Sequence, residues 1–454
     1  MSLAISKTQV NFCERLTALY GNATDMPALG CNTLLFLPIL FLNFLNIIFL
    51  SPFSINYDEK SRSFKIVSSK VDKYTVGIVY LGCAISISWN AIFLVIWTRE
   101  LYLRWCFGGI MTMWIVYNIF IMSTLWFHQK HIIEFVNAQL DFTRHSITLE
   151  DGVVINVNKK IYSLIFVVIL VPWMCLSMAN MYNIETSFLH FPYLVMDRAH
   201  IVIYGLENYS SSVQYAFTLH DYLVAFIYFV LSTLTMAISQ SGGLMTLCIS
   251  VSMLHMVRKF LNQVKTQYQR TSLDIARLLR RFNHLNDVFQ LCSSAFDFLY
   301  CWIGLILTPM YANSLQRLLS GNVLTALDAT IVQLNVLLIM LSAASLHANI
   351  KSILPWIQAS YSGYDFKFEQ PNLNFRVNLL VHQITADCFG LSGKLFVITY
   401  GYTGSIFGLV ITYALMFTQL QNQKKVQYDE NSKRVNKVQP GTPLLKKRRL
   451  SHHP

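Results

Sequence analysis

Long apolar stretches, separated by shorter polar segments, dominate this sequence. A helix that crosses the hydrocarbon core of a bilayer needs about 20 mostly apolar residues. Seven stretches meet that requirement: 75–97, 103–126, 161–182, 218–256, 289–311, 322–348 and 395–421. An eighth, 34–50, is equally apolar, but it is shorter and contains Pro38. The pattern predicts an all-α membrane protein with seven transmembrane helices, in which 34–50 is a re-entrant or interfacial segment.

The fourth stretch, 218–256, is too long for a single crossing. As an α-helix its 39 residues would extend about 58 Å at about 1.5 Å per residue, whereas the hydrocarbon core is about 30 Å thick. We therefore expect a long fourth helix that continues into the cytosol, with a bend at Gly242–Gly243. The basic segment that follows, 257–288, is predicted to be a cytosolic helical extension.

Composition supports a membrane location. Hydrophobic residues make up 54% of the chain and charged residues 13%, about half the charged fraction of roughly 25% in soluble proteins. The formal net charge of +12 would suggest a nucleic-acid partner for a soluble protein, but no module that combines aromatic and basic residues is present. Because basic residues concentrate in the cytoplasmic loops of membrane proteins, we assign this charge to topology and expect no nucleic-acid partner.

The distribution of Lys and Arg predicts the orientation in the membrane. With the N-terminus inside, 22 basic residues lie in the cytosolic segments 1–74, 127–160, 257–288 and 349–394, against 4 in the outside connections when Arg104, at the edge of a span, is included. The last helix would then end outside and be followed by a tail, 422–454, which is predicted to be disordered and carries 9 basic residues. That tail opposes the positive-inside rule, so its side of the membrane and a crossing by 34–50 both stay open.

This topology, with an inside N-terminus and an outside C-terminus, divides the chain into regions. A cytosolic region over 1–74 contains the short apolar segment, and the first six helices, with a ligand pocket among them, occupy 75–348. A cytosolic connection, 349–394, leads to the last helix, 395–421. The sequon Asn208-Tyr209-Ser210 lies in an outside loop, so Asn208 is a predicted glycosylation site.

The last apolar stretch and the residues before it carry a family signature. The signature begins with a Phe-x-x-x-Gly-Leu-Phe motif at the entry to the last span, and its near match here consists of Phe389, Gly393, Leu395 and Phe396. A glycine followed by TY-x5-Q is matched by Gly408, Thr412, Tyr413 and Gln419. LSPF at 50–53 looks like an N-terminal GLxPF region, while Lys394 interrupts the entry motif and Leu420 replaces the usual final Phe. With these departures, the chain resembles the insect gustatory receptors, loosely over its length and closely in its last span.

This resemblance implies a function. The family's proteins are tetrameric, ligand-gated cation channels, in which the last helix of each subunit lines a central pore and a pocket among the earlier helices holds a small-molecule tastant. The chain is therefore expected to form a non-selective channel in the plasma membrane of a chemosensory neuron, as a homo- or heterotetramer, with no cofactor and no metal.

Helical geometry supports a pore-facing stripe independently. Thr412 and Gln419 are seven residues apart, so they lie within about 20° of each other around a helix. In a symmetric assembly a glutamine that faces the axis forms a ring of amides, and apolar residues beside it form a constriction. We expect Gln419 to form the ring, and the constriction is expected at Leu420 with Leu415 or Met416. The alternative is that Gln419 lies at the membrane boundary and bonds to its neighbours.

Helix packing is the role expected for other residues of the last span. Gly404, Gly408 and Thr412 form a small-xxx-small run, which lets helices approach closely. Tyr413 is expected to pack against a neighbouring helix, since a buried tyrosine usually finds one hydrogen-bond partner.

Two carboxylates, Asp297 and Asp328, lie inside predicted spans. Such residues are costly in a membrane and usually face a cavity or a partner, so each is a candidate for binding a polar ligand or a protonated amine. Aromatic and polar residues expected at the same level suit a small-molecule pocket: Trp302, Tyr300, Trp173 and His220, together with Asn180, Asp221 and Tyr222. Core packing or an interfacial belt is the alternative for the aromatic residues.

Other function classes are disfavoured by missing motifs. His128 and His131 have an HxxH spacing, but no second histidine box follows, and the sequence has no GxSxG, P-loop or CxxC motif, so we expect no enzyme. A secondary transporter would show paired broken helices, and Gly242–Gly243 has no counterpart. An olfactory-type receptor would share the topology and the pore helix and remains the closest alternative.

Overall fold

A computed structural model of the chain describes residues 33–58, 60–97, 101–146, 159–181, 218–270, 275–306, 308, 311–312, 315, 323–362, 371–386, 389–392, 396–416 and 418–419. Most of these residues are helical, which confirms the predicted fold class in its main feature. The α-helices are α1 (Leu37–Ile47), α2 (Lys70–Trp97), α3 (Leu101–Phe127), α4 (Gln129–Ser146), α5 (Lys159–Met181), α6 (Leu219–Arg270), α7 (Ile275–Cys301), α8 (Val323–Lys351), α9 (Leu354–Ser362) and α10 (Pro371–Thr385). A last helix, α11, occupies 400–416, with helical residues again at 418–419.

The central element of the fold is α6, which is 52 residues long and contacts α1, α2, α3, α5, α7 and α8. The helix continues without interruption through Gly242 and Gly243, where we expected a bend. A Cβ on Gly242 would lie 2.2 Å from Cδ1 of Ile121 on α3. The missing side chain therefore allows α3 and α6 to pack closely at this level.

The predicted extension over 257–288 comprises two helices instead of one. The C-terminal part of α6 packs against the start of α7, where the rings of Phe260 and Phe282 lie 5.3 Å apart. In the connection 127–160, the helix α4 also packs on α7, through Phe135 and Phe296 at 5.9 Å. Together these helices form a bundle beyond the apolar parts of α6 and α7.

A β-hairpin precedes α2, so the all-α prediction is wrong in this detail. Strands β1 (Ser54–Asp58) and β2 (Ser63–Val67) pair antiparallel, with Ile55 opposite Ile66 and Tyr57 opposite Phe64. Their alternating apolar residues pack inward, but each strand is only five residues long. So short a pattern, set among charged residues, is easily read as a polar loop.

The predicted re-entrant or interfacial segment 34–50 contains a 3₁₀ turn (Thr33–Phe36) and α1. This segment is part of the core, since Leu35, Phe41 and Leu42 are almost completely buried, and α1 packs against α5, α6 and β1.

Apolar side chains cover much of the outer surface of the bundle. On α2, Tyr74, Ile78, Leu81 and Ile85 form one exposed stripe, and α5 exposes a similar set around Val168. Large apolar surfaces of this kind are rare on monomeric soluble proteins and suit a lipid environment. Among the described residues, two helices are long and apolar enough to cross a membrane, Leu219–Gln267 and Ala326–Ala359, and shorter apolar helices lie at Leu34–Ile47, Trp114–Phe127 and Ser163–Ser177. The seven-span topology itself remains a prediction.

Candidate functional site

The helix α11 follows an extended segment, and Thr399 caps its N-terminus. The Thr399 hydroxyl accepts a hydrogen bond from the Tyr402 backbone N–H at 3.1 Å, as a helix N-cap does. One stripe of this helix packs against the rest of the chain, and its members are nearly completely buried: Thr403, Ile406, Val410 and Ala414. Their spacing of three and four residues defines a single buried face.

The opposite face of α11 consists of small and polar residues that the chain leaves uncovered. At about 100° per residue, Gly408, Thr412 and Gln419 point about 160–180° away from Val410, and all three are exposed. A Cβ added to Gly404 or to Gly408 would meet nothing within 4 Å. The Thr412 hydroxyl donates to the Gly408 carbonyl oxygen at 2.8 Å, so it is satisfied within the helix.

The other residues predicted for the pore and for helix packing lie on different sides of α11. Leu415 and Met416 are exposed at the two edges of this uncovered stripe, and Tyr413 is exposed on a third side of the helix. Tyr413 is therefore not part of the face that packs within the chain. Leu420 and the predicted glycosylation site Asn208 lie outside the described residues, as does the side chain of Asn180.

A polar network joins α5, α6 and α8 at the level of Asp328. The Ser177 hydroxyl donates to Oδ1 of Asp328 at 2.7 Å, and Nε2 of Gln240 donates to Oγ of Ser177 at 2.8 Å. Ser177 thus accepts a hydrogen bond from α6 and donates one to α8. The network links the predicted ligand residue Asp328 on α8 to the long helix α6.

One turn further along α6, Gly243 lets two more polar side chains approach. A Cβ at this position would lie 2.7 Å from Nδ2 of Asn335 on α8 and 3.8 Å from Cη2 of Trp173 on α5. We call Trp173, Ser177, Gln240, Asp328 and Asn335 the interhelical polar cluster.

Three buried atoms of the interhelical polar cluster lack a hydrogen-bond partner among the described residues: Nε1 of Trp173, Oε1 of Gln240 and Oδ1 of Asn335. Trp173 and Gln240 are only 6% and 5% exposed. A buried polar atom without a partner costs roughly 1–3 kcal/mol, so the chain alone leaves this cluster incomplete.

Asp297 has a different environment from Asp328. Its Oδ1 accepts hydrogen bonds from Oγ of Ser293 on α7 and, at 3.0 Å, from Oγ of Ser392. Ser392 belongs to the segment that leads into α11, and it pairs with Val397 in an isolated β-bridge. Asp297 therefore ties α7 to the entry of the last helix, at a small crevice that Phe289, Cys292 and Leu391 help to line.

The remaining predicted ligand residues are dispersed. Tyr300 is buried and its hydroxyl bonds to Oγ of Ser250 at 2.8 Å. Trp302 lies in a π-helical turn, Trp302–Ile306, and packs on Phe120 at 5.4 Å. Nine residues were predicted to share one pocket, and of the eight whose side chains the structure describes, it places only Trp173 and Asp328 in the interhelical polar cluster.

The structure places His220 far from the interhelical polar cluster. His220 is exposed in the first turn of α6, where Asp221 accepts a hydrogen bond from the Thr218 backbone N–H at 2.8 Å and caps the helix. Twenty residues of α-helix, about 30 Å, separate His220 from Gln240. Its polar neighbours in the sequence belong to a helix cap and have no part in the cluster.

Sequence reasoning missed Ser177, Gln240 and Asn335. A signal was available, because Gln240 and Asn335 are amides inside apolar stretches, and the argument that selects intramembrane carboxylates applies to them as well. Ser177 follows Trp173 by four residues, which places both on one face of α5.

The sequence matches no protein-family profile and no curated protein. The fold, in contrast, is similar to that of the insect olfactory receptor OR5 from Machilis hrabei in complex with eugenol, with a TM-score of 0.52 at 11% sequence identity. The similarity covers 84% of this chain and 97% of that chain. A second structure of OR5 from Machilis hrabei gives a TM-score of 0.50 at 11% identity and covers the same shares of the two chains. The chain therefore has the fold of an insect olfactory receptor, and the resemblance seen in its sequence is confirmed at the level of the fold.

Proposed function

We propose that the protein is a gustatory-type chemoreceptor that acts as a ligand-gated, non-selective cation channel of the plasma membrane. The observation that carries this proposal is the uncovered stripe of α11. Small and polar residues line that stripe, whereas the exposed faces of α2 and α5 are apolar.

A stripe of this composition is unfavourable against lipid. An amide such as that of Gln419 would lose hydrogen bonds to water in the hydrocarbon region, and glycines offer lipid little apolar surface. Around the axis of a tetramer, four copies of the stripe would instead enclose a wet path, with Gln419 as a ring of amides. Leu415, Met416 and Leu420 would supply the apolar constriction that opens and closes by dewetting.

The buried face of α11 supports the same arrangement. Ile406, Val410 and Ala414 attach the helix to its own subunit, so the opposite face is free to meet other subunits. We infer homo- or heterotetramers with related subunits, seven spans with the N-terminus in the cytosol, and expression in chemosensory neurons. The choice of a gustatory over an olfactory subtype rests on the TY-x5-Q motif of Thr412, Tyr413 and Gln419.

The interhelical polar cluster is the proposed ligand site. It lies between three helices, is closed to solvent at its unpaired atoms, and contains a carboxylate that is linked to two of those helices. OR5 was solved with eugenol, which makes a small organic ligand a reasonable expectation for this fold. A ligand between α5, α6 and α8 would change their packing, and Asp297 would transmit a shift of α7 to the entry of α11.

Whole-cell recording of the expressed chain, alone and with related subunits, tests the proposal. A panel of sugars and bitter compounds should evoke a cation current, and Gln419→Ala should change the relative permeability of Ca²⁺ and Na⁺ by at least about twofold. The matched control is Ile411→Ala, because Ile411 is exposed on the same helix but lies about 80° from Gln419. Unchanged permeability in Gln419→Ala, at normal surface expression, would remove Gln419 from the pore.

A further inference from the structure

We propose that an anionic phospholipid of the cytosolic leaflet binds to the surface where α6 and α8 meet, with its phosphate on Arg258. This inference goes beyond the proposed function, because it concerns a lipid partner and not the tastant or the pore. It uses the predicted orientation, in which the C-terminal parts of both helices lie at the cytosolic side. Two apolar stripes, one on each helix, meet at the same basic residue, and their convergence carries the proposal.

The exposed side of α8 is an apolar stripe that ends in a serine. Leu334, Leu338 and Leu341 are 52%, 42% and 40% exposed, and at about 100° per residue they lie within about 60° of one another. Ser345 follows Leu341 by four residues and lies in the same sector. From Leu334 to Ser345 the helix rises about 16 Å, which is about half of the roughly 30 Å hydrocarbon core. The stripe therefore has the length of one leaflet.

The helix α6 has a matching stripe. Its residues from 241 to 257 are buried, apart from four half-buried residues on one face: Leu247, Val251, Leu254 and His255. This face leads to Arg258, which follows Leu254 by four residues and is exposed. Nη2 of Arg258 donates a hydrogen bond to Oγ of Ser345 at 3.0 Å. The two apolar stripes therefore meet at their predicted cytosolic ends.

The positive charge at this end is not neutralised by the chain. Among the described residues, none forms an ion pair with Arg258 or with Lys259. The sequence has no Asp or Glu over 222–273 or over 329–364, so neither helix supplies a carboxylate at this level. A guanidinium has five N–H donors, and the bond to Ser345 uses one of them. The other donors of Arg258 are free to bind a phosphate.

Charge and apolar surface together select an anionic phospholipid. A soluble phosphate would pair with Arg258 but would leave both apolar stripes uncovered. A zwitterionic phospholipid would cover the stripes, but its choline group would bring another cation to Arg258 and Lys259. A phospholipid with a net negative charge satisfies both parts of the surface. The cytosolic leaflet carries such lipids, and each basic residue near its surface increases the affinity about fivefold.

Native mass spectrometry of the purified, full-length protein tests this inference. The probes are phosphatidylserine and phosphatidylcholine with identical palmitoyl and oleoyl chains. Phosphatidylserine should bind with an apparent Kd at least about fivefold lower than phosphatidylcholine, and Arg258→Gln should abolish that preference. Arg258→Lys, which keeps the charge without the planar fork, should retain part of it. Arg280→Gln is the matched control, because Arg280 is also exposed but lies on α7, and it should keep the wild-type preference.

Several results would overturn the inference. Equal affinity for the two lipids would leave ordinary bilayer lipid as the occupant of this surface. An equal loss of preference in Arg258→Gln and Arg280→Gln would reduce the effect to the general charge of the protein. A disulfide-linked dimer formed by Leu338→Cys but not by wild type would place a second copy of the chain on the apolar stripe.

A soluble headgroup separates the lipid from a free phosphate compound. Glycerophosphoserine has no acyl chains, so it should displace phosphatidylserine only at a concentration at least about tenfold higher. Displacement at equal concentration would show that the apolar stripes contribute nothing, and would contradict a lipid site. Because none of these measurements requires a ligand or an evoked current, their outcome is independent of the channel proposal.

Discussion

The β-hairpin is held between two helices by a pair of asparagines, and this arrangement makes a strong prediction. Asn43 of α1 bonds to both backbone groups of Ile55, donating to its oxygen at 2.9 Å and accepting from its N–H at 2.6 Å. Asn137 of α4 does the same at Phe64, accepting at 2.7 Å and donating at 3.1 Å. Each amide thus pairs with the outer edge of one strand as a neighbouring strand would.

Replacing either asparagine by alanine removes two hydrogen bonds from one edge. Each bond contributes about 0.5–1.5 kcal/mol net, so Asn137→Ala should lower the free energy of local opening of the hairpin by about 1–3 kcal/mol. Hydrogen exchange of a protected amide follows that free energy. The Phe64 amide should therefore exchange roughly 5- to 150-fold faster.

Hydrogen–deuterium exchange of the hairpin peptide, followed by mass spectrometry, measures this change. Asn56→Ala is the matched control, because Asn56 lies on the same hairpin in β1 and is exposed, and its exchange should stay within about twofold of wild type. Asn137→Asp distinguishes the two bonds. A carboxylate keeps the acceptor for the Phe64 N–H but cannot donate to the Phe64 oxygen. Asn137→Asp should therefore accelerate exchange of the Phe64 amide less than Asn137→Ala does. If Asn137→Ala left hairpin exchange at the wild-type rate, the edge-pairing argument would be refuted.

Two further predictions concern packing and pH. Gly242→Val would force a side chain into Ile121 on α3, and overpacking of this kind costs about 1–3 kcal/mol, so the melting temperature should fall. In Gly404→Ala the added methyl group meets open space, and alanine is favoured over glycine inside a helix by roughly 1 kcal/mol, so the melting temperature should not fall. The pKa of Asp58 is lowered from 3.8 to about 2, mainly by a hydrogen bond from Lys65. The contribution of Asp58 to the stability of the hairpin is therefore present above a pH of about 4 and is lost as the pH falls from about 4 to about 2. Proteolysis by pepsin across that range should show a steeper pH dependence in wild type than in Asp58→Asn, and equal profiles would contradict this assignment.

Hydrophobicity alone predicts the long helices of this protein. Each predicted span lies largely on a helix because runs of about 20 apolar residues have few other stable structures in a membrane. The amphipathic helix α4 and the hairpin carry weaker patterns, and their stability depends on contacts with α7 and α1 that are remote in the sequence. Local patterns therefore could not identify them.

The two parts of the candidate site differ in how far sequence predicts them. The stripe of Thr412 and Gln419 depends only on helical periodicity, and the structure leaves those two residues on an exposed face. The interhelical polar cluster depends on which three helices are neighbours and on their relative heights. Charge cost selected Asp328, but nothing local indicates that Ser177 and Gln240 would meet it.

The accessibility of α11 to a charged thiol reagent tests the central claim that its uncovered stripe lines a pore. Thr412 and Ile411 are adjacent, both are exposed, and they point about 100° apart, so Thr412→Cys and Ile411→Cys form a matched pair. Applied during agonist-evoked current, a methanethiosulfonate reagent that carries a quaternary ammonium should irreversibly reduce the current of Thr412→Cys by more than about half, since it adds a bulky charge to the path. It should leave Ile411→Cys unchanged. Block of Ile411→Cys with Thr412→Cys unaffected would contradict the account.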